Sequence, residues 1–129
     1  MCAGAPGVQW KANKFPKEDS DSINYLIECL AEVKINKLIL ISTIAVYPNP
    51  VDVDEDSIIN EKKLKTYGYN RYFLEKKLKE MFPTTIIRLP ALLGKGLRKN
   101  VLYDLLHKKH LDKINLNSSY QFYNLKNLN

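Results

Sequence analysis

Cysteine occurs only at Cys2 and Cys29; two residues set no disulfide framework, and neither stands in a metal-ligating spacing, so a cytoplasmic setting is the expectation. No apolar run approaches the ~20 residues of a membrane-spanning helix. Residues 1–16 lack the basic region and apolar stretch of a signal peptide, and no membrane partner is expected. Repeats and low-complexity segments are absent. Arginine is scarce, with 17 of the 20 basic residues being lysine. Glycine is scarce as well: there are five, and the only early pair, in Gly4-Ala5-Pro6-Gly7, encloses a proline that restricts the backbone and removes an N–H. The chain therefore contains no strand, Gly-rich turn and helix of the kind that cradles a dinucleotide pyrophosphate.

What is present fits one folded domain, since 129 residues with 45% hydrophobic content can bury a core. The net charge of +6 raises nucleic-acid binding. Dispersed lysines argue against it, because recognition at fixed geometry favours arginine forks; no nucleic-acid partner is expected. Small anionic ligands would still be attracted. Lys95, Arg98 and Lys99 cluster around Gly94 and Gly96 before an apolar-periodic segment, a candidate diphosphate-binding turn and therefore a substrate-binding assignment. The acidic run at residues 52–56 reads as a solvated loop. His107 and His110 lack a third ligand, so no metal is assigned.

Hydrophobic patterning predicts strands at residues 1–4, 37–42 and 84–89, helices at residues 20–33, 66–81 and 100–109, and one more short strand at residues 120–123. Alternating strands and helices imply a parallel sheet with right-handed crossovers. Residues 37–41, Lys-Leu-Ile-Leu-Ile, do not alternate and read as a strand buried on both faces. At its polar end stand Ser42 and Thr43, followed 24 residues after the threonine by Tyr67 and then Arg71. A strand-end hydroxyl could orient a substrate oxygen. A tyrosine could exchange a proton with that oxygen if a fixed cation one helical turn on lowered its pKa. Alternatively Tyr67 is a core tyrosine and Arg71 merely pairs with Glu75.

Three stretches, Leu-Ile-Ser-Thr-Ile-Ala-Val-Tyr at residues 40–47, Tyr-Gly-Tyr-Asn-Arg at 67–71 with Glu75, and Ile-Ile-Arg-Leu-Pro-Ala-Leu-Leu-Gly at 86–94, resemble the extended short-chain dehydrogenase/reductase family of NAD-dependent epimerases and dehydratases. The resemblance runs from about residue 1 to 121. It implies an α/β fold, a partial doubly wound Rossmann-like parallel sheet that lacks the N-terminal Gly-rich βαβ unit. Residues 1–110 would be the partial NAD(P)-binding domain and residues 111–129 the start of a substrate-binding region.

The resemblance also implies roles: Thr43, Tyr67 and Arg71 as catalytic residues, with Arg71 standing where the family has lysine. Ala3, Gly4, Ser42, Tyr67, Arg71, Leu89 and Pro90 would line NAD or NADP, and a nucleotide sugar would be the ligand. Binding by this chain alone is expected to be weak or absent, because the pyrophosphate turn is missing. The whole reading is an NAD-dependent nucleotide-sugar epimerase, dehydratase or reductase, truncated and inactive alone; the alternative is a non-catalytic remnant or interaction module.

Both long helices carry two apolar faces. At 100° per residue Tyr67, Leu74, Leu78 and Met81 form one stripe, with Tyr69, Tyr72 and Phe73 opposite. In the preceding helix Ile23, Leu26, Ile27, Leu30 and Val33 oppose Tyr25 and Cys29. One face would pack on the sheet. By the resemblance, the other would form a homodimer of the two helices from each subunit.

Overall fold

The computed structural model describes residues 1–96, 100–115 and 117–127. The chain divides into two compact units, Met1–Arg88 and Leu89–Asn129. This division follows packing, whereas the boundary expected near residue 110 follows the resemblance.

The first unit contains β1 (Cys2–Gly4), α1 (Gln9–Lys14), α2 (Pro16–Ala31), β2 (Leu38–Thr43), α3 (Thr66–Met81) and the body of β3 (Thr84–Leu89). The strand order is β1-β2-β3. β1 runs parallel to β2, with Cys2, Ala3 and Gly4 opposite Ile39, Leu40 and Ile41. Parallel neighbours need a long crossover, which α1 and α2 supply. The central strand thus carries Thr43 at its carboxyl end.

α2 begins at Pro16, four residues before the predicted start at residue 20. Proline fixes φ for the first helical position, and Glu18 and Asp19 in the first turn oppose the helix dipole. The helix ends at Ala31, which leaves Val33 outside it and 42% exposed rather than on the core stripe. α1 is not legible as a period, because Ala12 is its single buried residue. α3 and β3 occupy the predicted ranges.

Ile23 and Leu30 of α2, Leu38 and Leu40 of β2, and Leu74 and Leu78 of α3 make one core. Each fully buried side chain of this size contributes ~1.5–3 kcal/mol. Met81, assigned to the same stripe of α3, lies in the last turn and is exposed, whereas Phe73, assigned to the opposite face, packs partly buried against the core. In β2, Leu38 and Leu40 are buried while Ile39 and Ile41 are only half-covered. The strand expected to be buried on both faces is buried chiefly on the face that the helices cover.

A second, polar cluster ties the loop at residues 48–65 to α3 and β3. Arg88 donates to Glu75 at 2.7 Å through Nη2 and to the Tyr47 hydroxyl at 2.5 Å through Nη1. Tyr47 in turn donates to the Asp54 carbonyl at 2.6 Å. The Glu75 carboxylate, hydrogen-bonded to Arg88, holds the guanidinium pKa above its ordinary value. Glu75 is only 1% exposed, and Arg88 satisfies its buried charge.

In the second unit β4 (Ala91–Leu93) pairs parallel with β5 (Phe122–Asn124). The short α4 (Val101–Leu106) is capped by Asn100, whose side chain accepts from the Tyr103 N–H at 2.8 Å. It stops before the predicted residue 109, as Lys108 and His110 take left-handed φ values of 52° and 49°. β5 lies close to the strand predicted at residues 120–123; β4, three residues long, has no length over which a period could be read.

Candidate functional site

Thr43 is the last residue of β2, and its Oγ1 accepts from the Ala45 N–H at 3.2 Å, capping the 3-10 turn Ile44–Val46. The first turn of α3 rests on that turn. A Cβ built on Gly68 would be driven into the Ala45 carbonyl oxygen, closer than nonbonded atoms approach. Only glycine lets the helix backbone settle there, and this close fit sets the tyrosine before it beside the segment that follows Thr43.

Tyr67 itself is buried, 7% exposed. Its N–H donates to Asn13 Oδ1 at 3.0 Å, so α1 provides the cap that Lys65 at the N-cap position does not. Its hydroxyl points at the loop after β1: a Cβ added to Gly7 would lie 4.0 Å from that oxygen. The first turn of α3 therefore touches the turn that follows Thr43 while the Tyr67 hydroxyl faces the loop after β1, both beyond the carboxyl end of β2, the end at which open α/β sheets bind their ligands.

Arg71 lies one turn along α3, its guanidinium carbon 4.6 Å from the centre of the Tyr67 ring. It does not pair with Glu75, which is taken by Arg88. Nη2 donates to Asp19 Oδ1 at 2.9 Å, Nη1 to Asp19 Oδ2 at 3.0 Å, and Nη2 to the Pro6 carbonyl at 2.7 Å. Asn70 Nδ2 adds a bond to Asp19 Oδ2 at 2.8 Å. The ion pair is buried, with side-chain exposures of 4% and 12%. Of the guanidinium's five N–H donors, three are thus committed to protein acceptors, while Nε is buried with no partner among the described residues. The early start of α2 decides this arrangement, since it brings Asp19 inside the helix and across from Arg71.

Among the other candidate residues, Ala3 packs against the core and Gly4 is exposed on β1. Ser42 Oγ is buried without a partner among the described residues. Leu89, Pro90 and Lys95 fall in the second unit, Leu89 closing β3 and Lys95 standing exposed in a turn with Gly96. Arg98 and Lys99 lie outside the described residues. Sequence reasoning missed Asn13, Asp19 and Gly68. The glycine was visible in the Tyr-Gly-Tyr-Asn-Arg motif, but its role depends on a partner segment 23 residues earlier.

Among the described residues no group of three or more His, Cys, Asp or Glu could hold a metal ion. No helix of those residues is long and apolar enough to cross a membrane. Cys2 and Cys29 are free and exposed.

No protein-family model matches the chain. No curated protein matches it either. Among solved structures, the chain is similar to a UDP-glucuronic acid 4-epimerase from Bacillus cereus, crystallised in complex with UDP-glucuronic acid and NAD. The TM-score is 0.52 at 24% sequence identity, over 69% of this chain and 31% of that one. The chain thus spans about a third of the length of that structure. The likeness is one of fold: the chain is α/β with parallel strands, consistent with part of a Rossmann-like domain.

Proposed function

We propose that this chain is the acid/base portion of an NAD-dependent epimerase/dehydratase-type protein, acting on a nucleotide-linked sugar. Thr43 would orient the substrate hydroxyl, Tyr67 would exchange its proton, and Arg71 would supply the fixed positive charge beside the tyrosine. The observation that carries the reading is the seating of α3 on the turn after Thr43 at Gly68 and Ala45, with the buried Tyr67 next to that contact. Support also comes from the resemblance in three motifs and from the fold shared with a structure that holds NAD.

An NAD or NADP molecule held here would supply the hydride acceptor. The residues that fit it are the loop after β1, Ser42, whose buried hydroxyl has no partner among the described residues, and Tyr67. In this reading Ala3 and Gly4 line the cofactor beside them. The 129 residues include no Gly-rich phosphate turn, so affinity for a dinucleotide is weak and the chain alone does not turn over.

A second reading, an interaction module without catalysis, has its own support. The Arg71 fork is committed to Asp19 and Pro6, which leaves fewer donors for a ribose than a lysine ammonium would offer. Tyr25 and Tyr69, exposed at 69% and 45% on α2 and α3, suit a homodimer through those helices. Calorimetric titration of the purified chain with NAD, NADP and UDP-glucuronic acid tests the functional reading. Heats that saturate only in the millimolar range and disappear in Tyr67→Phe with Thr43→Ala support it; heats unchanged by the double substitution contradict it.

A further inference from the structure

Arg71 and Asp19 form the only buried ion pair among the described residues that touches Tyr67, and its geometry assigns a task to the carboxylate. Arg71 is 3% exposed, is gripped end-on by both Asp19 oxygens, and lies with its guanidinium carbon 4.6 Å from the centre of the Tyr67 ring. The same guanidinium reaches the Pro6 carbonyl at 2.7 Å, in the loop that the Tyr67 hydroxyl faces. One carboxylate therefore fixes both the position of the cation and the net charge that the tyrosine senses.

We propose that Asp19 is a positioning residue for this site: it locks the Arg71 guanidinium against the Tyr67 ring and balances its charge, so that the acidity of Tyr67 is governed from α2. The proposal rests on the reading of Tyr67 as the acid/base group only for its functional consequence; the charge relationship stands on the geometry alone.

Other charged groups near the tyrosine do not substitute for Asp19. On α1, Lys11 stands 3.8 Å from Glu18, and Lys14 lies 5.4 Å from the centre of the Phe15 ring. On α2 the first turn offers Glu18 and Asp19. On α3, Lys65 at the N-cap position is exposed and Glu75 is bound to Arg88. The turn Ile44–Val46 has no charged residue. Asp19 and Arg71 are the pair that meets the ring. Removing the negative member leaves an unbalanced cation a few ångströms from the phenol, and within a low-dielectric surface such a change alters an ionisation constant roughly three- to tenfold.

The test is the titration of the Tyr67 ring followed by NMR of the intact chain carrying 13C at tyrosine Cζ, with the resonance assigned through Tyr67→Phe. In Asp19→Asn, which keeps the shape of the side chain, the Tyr67 ionisation constant is expected to rise roughly three- to tenfold. In Asp19→Glu, which keeps the charge, it stays within about a factor of two. An Asp19→Asn titration that matches wild type, or moves to higher pH, overturns the proposal.

Should Asp19→Asn not fold, the Arg71 guanidinium 15N signals of the wild-type chain decide the matter. Hindered rotation, seen as separate Nη signals near neutral pH, supports the clamp, and a single averaged signal overturns it. Neither readout involves NAD or a sugar, so a failed clamp leaves the functional reading to stand on ligand titration, and failed ligand binding leaves the clamp intact.

Discussion

Gly68 abuts the carbonyl of Ala45, with no room for a side chain between the first turn of α3 and the turn that follows β2. Substituting Gly68→Ala forces one of the two backbones to move. A helix-favouring residue would otherwise stabilise α3, so the direction of the effect is diagnostic. Destabilisation of about 2 kcal/mol is expected from overpacking, measured by urea unfolding, with Tyr67 displaced from the loop after β1. A Gly68→Ala chain more stable than wild type would show that the close fit is absent.

Among the described residues, two buried ion pairs should each be costly to break from the anion side. Removing the anion from either pair strands a guanidinium, so Asp19→Ala and Glu75→Ala are each expected to lose about 3 kcal/mol. In the double variant Asp19→Ala with Arg71→Met, part of that loss is recovered, because an unpaired buried charge costs more than an apolar replacement. Denaturant midpoints of the single and double variants check this, and additive losses would argue that Asp19 and Arg71 are not coupled.

Acid should loosen the turn at Asp54 before it unfolds the core. Asp54 Oδ1 accepts from Ser57 Oγ at 2.7 Å and from the Asp56 N–H at 3.2 Å. The Ser57 hydroxyl draws the Asp54 pKa below its ordinary value. A carboxylate with a lowered folded-state pKa contributes its stabilisation above the ordinary pKa and loses it as pH falls through the lowered one. Chemical shifts of the Asp56 and Ser57 amides should therefore be constant above about pH 5 and move only as the solution becomes more acidic, and Ser57→Ala should shift that transition to higher pH.

Self-association through α2 and α3 predicts that Tyr25 and Tyr69 become covered in solution. Sedimentation equilibrium should show a dimer whose dissociation constant rises at least tenfold in Tyr25→Asp with Tyr69→Asp, since a charge placed in an apolar contact weakens it by at least ~1.4 kcal/mol. A wild-type chain that stays monomeric at high concentration contradicts the dimer. Tyr72 and Phe73 are poorer reporters, as both are already half-buried and Phe73 packs against the core.

The parts of the fold that were legible in sequence are those with period and length. α3 and β3 fall where patterning puts them, because sixteen helical residues with Leu74 and Leu78 on one stripe, and a β-branched run ending at Leu89, leave little ambiguity. β1, three residues long, was legible through its apolar start and the glycine that closes it. The misses share a physical cause. α1 buries one residue, β4 has three, and the start of α2 depends on Pro16, whose helix-initiating role competes with its role as a breaker. That last miss hid Asp19 outside the helix and made Glu75 look like the partner of Arg71. Thr43, Tyr67 and Arg71 could be named from spacing, whereas Asn13, Asp19 and Gly68 act through contacts across 23 to 54 residues of sequence, which no local pattern encodes.

The most direct test of the account is an NMR titration of the uniformly labelled chain with NAD, mapping amide shifts residue by residue. Weak binding is expected, with a dissociation constant above about 1 mM and shifts confined to the loop after β1, to Ser42 through Ala45, and to the start of α3 around Tyr67. Saturation at micromolar NAD, or shifts centred away from those three segments, would contradict it.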